Sequence, residues 1–339
     1  MLEPVLSIVV PVHDDACNLA ICLGALRRAE VQPLEVIVVD DASSTEDSRW
    51  IANKASAHYL RLPQKTGAGA ARNAGWRIAQ GNIVLFVDSD VVVPPGATRR
   101  LLAHLAQRPD LVGVFGSYDD SPAVQSFYSQ FRNLLHHYVH QTSGEEAWTF
   151  WAGFGALRMN ALQSSGGFNE QIGGIEDVEL GMRLASGGAK LCLDKSLQVK
   201  HLKKWTLAST VSTDIFIRAV PWTRLLLTAK NIPPDLNLTY GSRISAVLVA
   251  ALVAMVGLLG AAALHFRGWR VLPLLFNGAF LAVCLLVLNR QFYAFLLRKR
   301  GLAFTSAAVA AHWLFYLYSG ATFVVMWIAY HAPRLGRAR

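Results

Sequence analysis

Three long apolar runs near the C-terminus limit what this chain can fold into. They cover residues 244–264, 271–288 and 304–330, and each is about long enough to cross ~30 Å of membrane hydrocarbon as a helix. The second run is marginal and is also compatible with a re-entrant segment. Buried core helices are the alternative, but so few charges over three runs favour membrane helices. We therefore expect a transmembrane region over residues 241–339 with about three spans.

Basic residues predict the orientation of this region. Clusters of Lys and Arg precede the first run and separate the second from the third, which places both clusters on the cytoplasmic side. No signal peptide is recognisable, because the apolar stretch Val5–Val12 is short and lacks a basic leader. We expect a multi-pass protein of the cell (inner) membrane with a cytoplasmic N-terminal domain. The basic tail, with Arg334, Arg337 and Arg339, would then lie outside, against the positive-inside rule.

The net charge of +9 is consistent with the same location. No nucleic-acid-binding module is recognisable, so we expect anionic lipid headgroups as a partner of the cationic surface, and no nucleic acid. The four cysteines include no CxxC pair and are typical of buried thiols in a reducing compartment.

Residues 205–240 mix Trp and Arg with apolar side chains. This mixture predicts one or two amphipathic helices that lie in the membrane interface, pack on the preceding domain, or do both.

Strand and helix signals alternate over residues 1–204. Apolar β-branched runs at Ser7–Val12, Glu35–Val39 and Ile83–Val87 predict buried parallel strands, with helical periodicity between them. The order predicts an α/β domain with a Rossmann-like, mostly parallel sheet. Ligands of such sheets bind at the carboxyl ends of the strands. Polar clusters follow the three runs there: His13-Asp14-Asp15, Asp40-Asp41 and Asp88-Ser89-Asp90.

Asp88 and Asp90 directly follow the third strand signal. Two carboxylates two residues apart at a strand end can approach one hard divalent cation, which takes oxygen ligands and bridges protein to phosphate. A turn with Asp caps is the structural alternative. His201 follows a predicted strand at residues 197–200, and it is a candidate nitrogen ligand for the same metal, although a lone histidine is usually structural.

Two further motifs have both a structural and a binding interpretation. The Asp40-Asp41-Ala42-Ser43 segment can accept hydrogen bonds from a base or ribose, or it can simply cap a helix. The Gly67–Asn73 segment joins a small-residue loop to a helix, where Arg72 can pair with a phosphate or an aspartate. It is neither a GxGxxG fingerprint nor a P-loop, which argues against NAD enzymes and ATP-driven motors.

A glycine loop at Gly173-Gly174 leads into an acidic helix start. Glu176 and Asp177 in its first turn either stabilise the helix dipole or supply a general base. Glu179 and Arg183 have the i,i+4 spacing of a structural ion pair.

Together these motifs resemble the large inverting glycosyltransferase family 2, with its GT-A fold. The resemblance spans about residues 5–205, and the ordered set is far more specific than any one motif. The residues that carry it are Pro11, Asp40-Asp41-Ala42-Ser43, Gly69 with Ala71-Arg72-Asn73, Asp88-Ser89-Asp90, Gly166-Gly167-Phe168, and Glu176-Asp177 with Arg183.

The resemblance implies an enzyme that uses a nucleotide-sugar donor and a divalent metal, Mg²⁺ or Mn²⁺. Asp177 would be the base, beside Glu176. The other implied roles are donor binding by Pro11, His13, Asp40, Asp41, Arg72, Asp88 and Ser89, metal binding by Asp88, Asp90 and His201, and an acceptor side at Gly153, Phe154 and Arg183.

The chain departs from the family pattern in two places. His13-Asp14 stands where the family often has Tyr-Asn, which leaves the base selectivity open. The QxxRW motif of processive synthases is missing, which favours a single transfer over a processive or polysaccharide-chain glycosyltransferase. A membrane-bound nucleotidyltransferase is a weaker alternative, because PVHDDACN is not a Gly-Arg-rich loop. The apolar runs favour a membrane-associated acceptor, either a polyprenyl phosphate or a glycolipid.

Overall fold

The chain divides into two compact units, Met1–Thr206 and Leu207–Arg339. The computed structural model describes residues 5–228, 240–265 and 271–335. Residues 229–239 of the predicted amphipathic segment 205–240 therefore lie outside the described residues.

The N-terminal unit is an α/β domain in which β1, β2 and β4 lie close to their predicted positions, whereas the strand predicted at residues 197–200 is the end of the longer β9. Its strands are β1 Leu6–Val12, β2 Glu35–Asp40, β3 His58–Arg61, β4 Ile83–Val87, β5 Val91–Val92, β6 Leu111–Tyr118, β7 Glu146–Ala147, β8 Phe154–Arg158 and β9 Lys190–His201. Its helices are α1 Ala16–Leu26, α2 Asp47–Lys54, α3 Ala68–Ile78, α4 Ala97–Gln107, α5 Phe127–Thr142, α6 Met159–Ser165 and α7 Glu176–Ser186.

The sheet has the strand order β3-β2-β1-β4-β8-β6-β9-β5, with β7 paired to β9. Strands β3, β2, β1 and β4 are parallel to one another, as the alternation of strand and helix signals predicts. Strand β8 is antiparallel to both β4 and β6, and the sequence pattern gave no sign of this insertion. The fold is therefore the expected α/β sheet with an antiparallel strand at its centre.

Side chains of β1 alternate between two cores. Ile8 and Val10 belong to one buried cluster with residues of α1 and α4, whereas Val9 belongs to a second cluster with residues of α3, α6 and α7. Successive side chains of a strand point to opposite faces of the sheet. Because both faces of β1 are covered, its continuous apolar run is explained by burial on both sides.

The C-terminal unit is helical. Its elements are α8 Leu207–Ser212, a π-helical segment Thr213–Ala219, α9 Val220–Thr228, α10 Tyr240–His265, α11 Leu272–Leu288 and α12 Arg290–Leu335. Among the described residues, two helical stretches are long and apolar enough to cross a membrane, Tyr240–Ala262 and Arg290–Ala332. Helix α11 is apolar but shorter, with 17 residues. Helix α12 begins well before the predicted run at residue 304, and Gly301 interrupts it with a φ of 78°.

Candidate functional site

The order of the strands reverses between β1 and β4, and this reversal marks a candidate site. From β1 the chain moves outward to β2 and β3, and it then returns to β4 on the other side of β1. Ligands of open α/β sheets bind beyond the carboxyl ends of the strands at such a switch point. Asp15 follows β1 there, and Asp88 and Asp90 follow β4. Three carboxylates therefore border one edge of the sheet.

Asp88 is held by a neighbouring loop and by a buried cation. Its N–H donates to the carbonyl oxygen of Gly153 at 3.1 Å. Its Oδ1 accepts a hydrogen bond from Nη2 of Arg72 at 2.8 Å. The side chain remains 29% exposed, so Asp88 keeps oxygen surface that a ligand can reach.

Asp90 lies beside His201 because of a short strand pair. Strand β5 pairs antiparallel with the end of β9, which leaves Nε2 of His201 3.5 Å from Oδ2 of Asp90. Burial acts to raise the pKa of Asp90, but the adjacent His201 and the charge of Lys203 outweigh it, and the net shift is downward. Burial raises the pKa of Asp15, whose Oδ2 lies 3.4 Å from the Ser89 hydroxyl. The sequence analysis placed Asp15 at this strand end but assigned it no donor-binding or metal-binding role.

Arg72 is a buried cation shared by two carboxylates. Besides Asp88, it contacts Glu176, whose Oε1 accepts a hydrogen bond from Nη1 at 2.7 Å. The guanidinium also lies 5.5 Å from the ring centroid of Phe168. A Cβ at Gly69 would lie 3.2 Å from Cγ of Glu176, so this glycine allows α3 and α7 to approach. Arg72 therefore joins the end of β4 to the start of α7.

Asp177 follows Glu176 in the first turn of α7. The N–H of Ala152 donates to its Oδ2 at 3.0 Å, and the N–H of Val178 donates to its Oδ1 at 2.8 Å. Burial, together with the charge of Glu176, raises the pKa of Asp177 to about 6, although Arg72 acts in the opposite direction. Such a carboxylate is largely ionised at neutral pH and can still accept a proton, as a general base must.

One loop holds both acidic groups. Gly153 accepts the N–H of Asp88, and the neighbouring Ala152 donates to Asp177. A Cβ at Gly153 would lie 2.4 Å from the indole ring of Trp151, so only glycine lets this ring lie across the loop. The loop that contains the predicted acceptor-side residue Gly153 thus contacts both Asp88 and Asp177.

Trp151 belongs to an aromatic cluster that the sequence analysis missed. Tyr118 stacks on His201 with ring centroids 4.1 Å apart, and it meets Trp151 edge-on at 4.8 Å. His136 lies 4.8 Å from Trp151. These rings come from β6, α5, the loop before β8 and the end of β9, so no local motif could reveal them. Stacking on Tyr118 fixes the orientation of the imidazole beside Asp90.

The predicted donor residues in β1 and β2 lie in a well-packed part of the rim. Pro11 is buried in β1, opposite Val39 of β2. Oδ1 of Asp40 accepts the N–H of Ser43 at 2.7 Å, and its Oδ2 accepts the hydroxyl of Tyr59 at 2.6 Å. Asp40 therefore has partners for both oxygens within the domain.

Asp41 is likewise engaged by its own domain. Its two oxygens accept backbone N–H groups from Thr66 at 2.7 Å and from Gly67 at 2.8 Å. The carbonyl oxygen of Asp41 lies 2.8 Å from Nδ1 of His13, and Nζ of Lys65 lies 2.7 Å from Nε2 of the same ring. Because a carbonyl oxygen only accepts, Nδ1 of His13 carries a proton, and Nε2 lies between Nζ of Lys65 and Oδ2 of Asp14, the latter at 3.3 Å.

Phe154 and Arg183, predicted on the acceptor side, belong to the scaffold. Phe154 begins β8 and is fully buried. Arg183 pairs with Glu179 at 2.8 Å, as the i,i+4 spacing predicts. It also donates to the carbonyl oxygens of Ser165 and Gly167. Arg183 therefore holds α7 against the loop that follows α6.

The predicted metal ligands are close to one another but do not form a closed centre. Within residues 5–228, 240–265 and 271–335, no group of three or more His, Cys, Asp or Glu side chains is arranged to hold a metal ion. Asp90 and His201 are adjacent, whereas Asp88 is turned towards Arg72. Two carboxylates and an imidazole are donors that suit a divalent cation such as Mn²⁺. The residues therefore fit the metal in type.

Comparison with known proteins gives one family match and several relatives. Residues 7–166 match the sequence profile of glycosyl transferase family 2. The pre-mycofactocin glycosyltransferase of Mycobacterium tuberculosis is 26% identical over 225 residues, which are 62% of this chain and 45% of that protein. The undecaprenyl-phosphate 4-deoxy-4-formamido-L-arabinose transferase of Yersinia enterocolitica is 27% identical over 137 residues, which are 38% of this chain and 42% of that protein. The aligned part is less than half the length of each relative.

A solved structure shares the fold over most of the chain. The mannosyltransferase PcManGT from Pyrobaculum calidifontis, solved in complex with GDP-Man and Mn²⁺, superimposes with a TM-score of 0.61. The alignment covers 92% of this chain and 88% of that chain at 20% identity. At this identity the likeness establishes the fold alone.

Proposed function

The N-terminal unit of this chain belongs to glycosyl transferase family 2 and has a GT-A sheet, and from that membership we propose that the protein transfers a sugar from a nucleotide-sugar donor to a membrane-associated acceptor. The transfer inverts the configuration at the anomeric carbon. The enzyme acts at the cytoplasmic face of the cell membrane, to which the C-terminal helices anchor it.

One observation carries this proposal: the acidic residues of two separate motifs share a buried cation. Asp88 at the end of β4 and Glu176 at the start of α7 both bind Arg72, at 2.8 Å and 2.7 Å. Asp177 follows directly, and one loop contacts both Asp88 and Asp177. A leaving group beside Asp88 and an acceptor beside Asp177 would therefore meet at one edge of the sheet, at its switch point.

Asp177 is the proposed general base. An acceptor hydroxyl oxygen forms the new bond to the anomeric carbon and gives its proton to the Asp177 carboxylate, while the bond from that carbon to the diphosphate breaks and its electron pair leaves with the diphosphate. The backbone donors from Ala152 and Val178 hold this carboxylate in place. A phosphate acceptor is already ionised and would need less help from the base.

Asp88 and Asp90 are the proposed metal ligands, with His201 as a third. A bound Mg²⁺ or Mn²⁺ would stabilise the charge that develops on the departing diphosphate. Arg72 orients Asp88 from the protein side, and the Ser89 hydroxyl lies beside the neighbouring Asp15. We assign Arg72 and Glu176 to positioning, because their charged groups are buried against each other.

The donor nucleotide is proposed to lie along the ends of β1 and β2. Pro11, Asp40 and Asp41 shape this part of the rim, and His13 presents its ring at the edge, where it is partly exposed. Lys65 lies beside His13, so the departure from the family's Tyr-Asn pair adds a cationic partner here.

The acceptor is proposed to be lipid-linked, with a polyprenyl phosphate preferred. The C-terminal unit has two stretches long and apolar enough to cross a membrane. A relative in Yersinia enterocolitica is named for undecaprenyl phosphate. An active site on a membrane-anchored chain meets such an acceptor without extracting it from the bilayer.

The test is transfer of label into lipid. Membranes containing the full chain are incubated with UDP-, GDP-, ADP- and dTDP-linked radiolabelled sugars, and the lipid fraction is extracted. We expect one donor to label lipid, and we expect EDTA to stop the labelling and Mn²⁺ to restore it. The control membranes contain the Asp177→Asn variant. If every donor in the panel leaves the lipid fraction and endogenous glycans unlabelled, the proposed function is wrong.

A further inference from the structure

The last helix is too long for a single crossing of a membrane. Helix α12 has 46 residues, and Gly301 divides it into two arms. The arm after Gly301 would alone be roughly 50 Å long at 1.5 Å per residue, whereas the hydrocarbon layer is about 30 Å thick. Only part of this arm therefore fits within the layer.

Contacts across the kink show that the two arms fold back on each other. The hydroxyl of Tyr293 lies 3.2 Å from Nδ1 of His312. The hydroxyl of Tyr316 donates to Oδ1 of Asn289 at 3.1 Å. In each pair, one residue precedes Gly301 and the other follows it by a similar number of positions. Residues 290–315 are thus a helical hairpin, with Gly301 at its tip.

A chain of hydrogen bonds marks the base of this hairpin. Nδ2 of Asn289, which follows α11, donates to the hydroxyl of Ser245 near the start of α10 at 3.0 Å. A Cβ at Gly278 would lie 3.6 Å from Met255, so α10 and α11 run antiparallel beyond this point. The start of α10, the end of α11 and Tyr316 therefore lie level at one end of the bundle.

The distribution of exposed apolar side chains along α12 agrees with an end of the bundle near Tyr316. Between residues 290 and 322, the exposed large apolar side chains are Leu297, Leu302 and Leu314. Over the much shorter stretch 323–328, they are Phe323, Val324, Val325, Trp327 and Ile328. Three consecutive cations, Arg298, Lys299 and Arg300, lie next to the tip of the hairpin. The exposed large apolar side chains of α12 are thus concentrated in the part of the helix that follows Tyr316.

We infer that the membrane crossing of α12 begins near Tyr316 and that the hairpin 290–315 stands outside the hydrocarbon, on the side where α10 begins. The inference rests on the membrane anchoring proposed above. The crossing then occupies residues 316–335, which span about 30 Å as a helix. Ser245, Asn289 and Tyr316 fall at the interface, where polar groups are solvated and tyrosines are enriched. The basic tip lies in water or among headgroups.

Cysteine labelling tests this assignment. The four native cysteines are replaced, and single cysteines are introduced at two exposed hairpin positions, Ser306→Cys and Ala310→Cys, and at two equally exposed positions of the crossing, Val325→Cys and Ala329→Cys. Membrane vesicles opened by freeze–thaw are treated with a charged maleimide, which reaches both aqueous faces but reacts poorly with thiols in hydrocarbon. A denatured sample gives the total thiol.

We expect more than tenfold greater labelling at the hairpin positions than at the crossing positions. Protection at all four positions would overturn the inference and leave the membrane anchoring intact, since the crossing would then begin near residue 304. Labelling at all four positions would overturn both the inference and the anchoring. Folding of the four-cysteine replacement chain is checked by its donor binding before labelling.

Discussion

Two pairs of carboxylates near the same rim of the sheet differ in how far their oxygens are occupied and in the charges around them. Asp40 and Asp41 end β2, and their oxygens accept hydrogen bonds from loop N–H groups and a tyrosine hydroxyl. Asp88 and Asp177 lie on the other side of the switch point. Asp88 is paired to a buried cation, and burial raises the pKa of Asp177 to about 6.

This difference distinguishes carboxylates with a structural role from carboxylates with a role in the reaction. In the β2 pair the carboxylate oxygens are occupied by donors of the surrounding loops and strands, and the Arg61 guanidinium lies 3.7 Å from Oδ2 of Asp40, which leaves both carboxylates structural groups. A carboxylate that is buried beside a like charge instead holds a proton more readily than usual. The β2 pair should therefore matter mainly for stability, and the second pair for turnover.

The largest effect that would test this contrast is expected at Asp177. Asparagine keeps the size of the side chain but cannot take the acceptor proton, so Asp177→Asn should lower the transfer rate by about 10²–10⁴-fold with a hydroxyl acceptor. Donor affinity, measured by calorimetry, should stay close to that of the native protein. Asp110→Asn is the matched control. Asp110 precedes β6, so it lies at the end of the sheet opposite to the carboxyl end of β4. Unchanged turnover in purified Asp177→Asn protein would remove this residue from the mechanism.

A smaller effect should appear in the pH profile. With the pKa of Asp177 near 6, the transfer rate should fall about tenfold per pH unit below that value as the base becomes protonated. Glu176→Gln removes a charge that raises this pKa but keeps an oxygen for Arg72. The acid limb should therefore move to lower pH, and the rates at pH 7.5 should remain similar.

The pH series also distinguishes positioning from catalysis at Glu176. A rate that drops equally at every pH in Glu176→Gln would make Glu176 a participant in the reaction. If the acid limb of the pH–rate profile does not move in Glu176→Gln, the protonation of another group controls that limb. Either result would weaken the contrast between the two carboxylate pairs.

The fold and the acidic rim could be predicted because their signals are local. Strand β4 matches its predicted bounds, Ile83–Val87, because an apolar β-branched run ends at an acidic residue. Since strand ends of a parallel sheet share one edge, the clustering of Asp15, Asp88 and Asp90 followed from the order of elements.

The partners inside the site could not be predicted, because they are distant in sequence. Arg72 binds residues 16 and 104 positions away, and its spacing alone left phosphate and aspartate equally open. The insertion of β8 between β4 and β6 creates the loop that holds Asp88 and Asp177. Helix α12 was predicted to start too late, because its basic residues 298–300 interrupt the apolar pattern although the helix continues to Gly301.

The smallest effect on turnover is expected at Asp41. In Asp41→Asn, an amide nitrogen replaces one of the oxygens that accept N–H groups from Thr66 and Gly67, so one part-buried N–H group loses its acceptor. The free energy of unfolding should fall by about 1–3 kcal/mol, measured by urea titration of the N-terminal unit's signal in the full chain. The rate constant for transfer should change only a few-fold. If stability is unchanged while the KM for donor rises more than a hundredfold, Asp41 binds the donor directly, and the β2 pair is no less functional than Asp88 and Asp177.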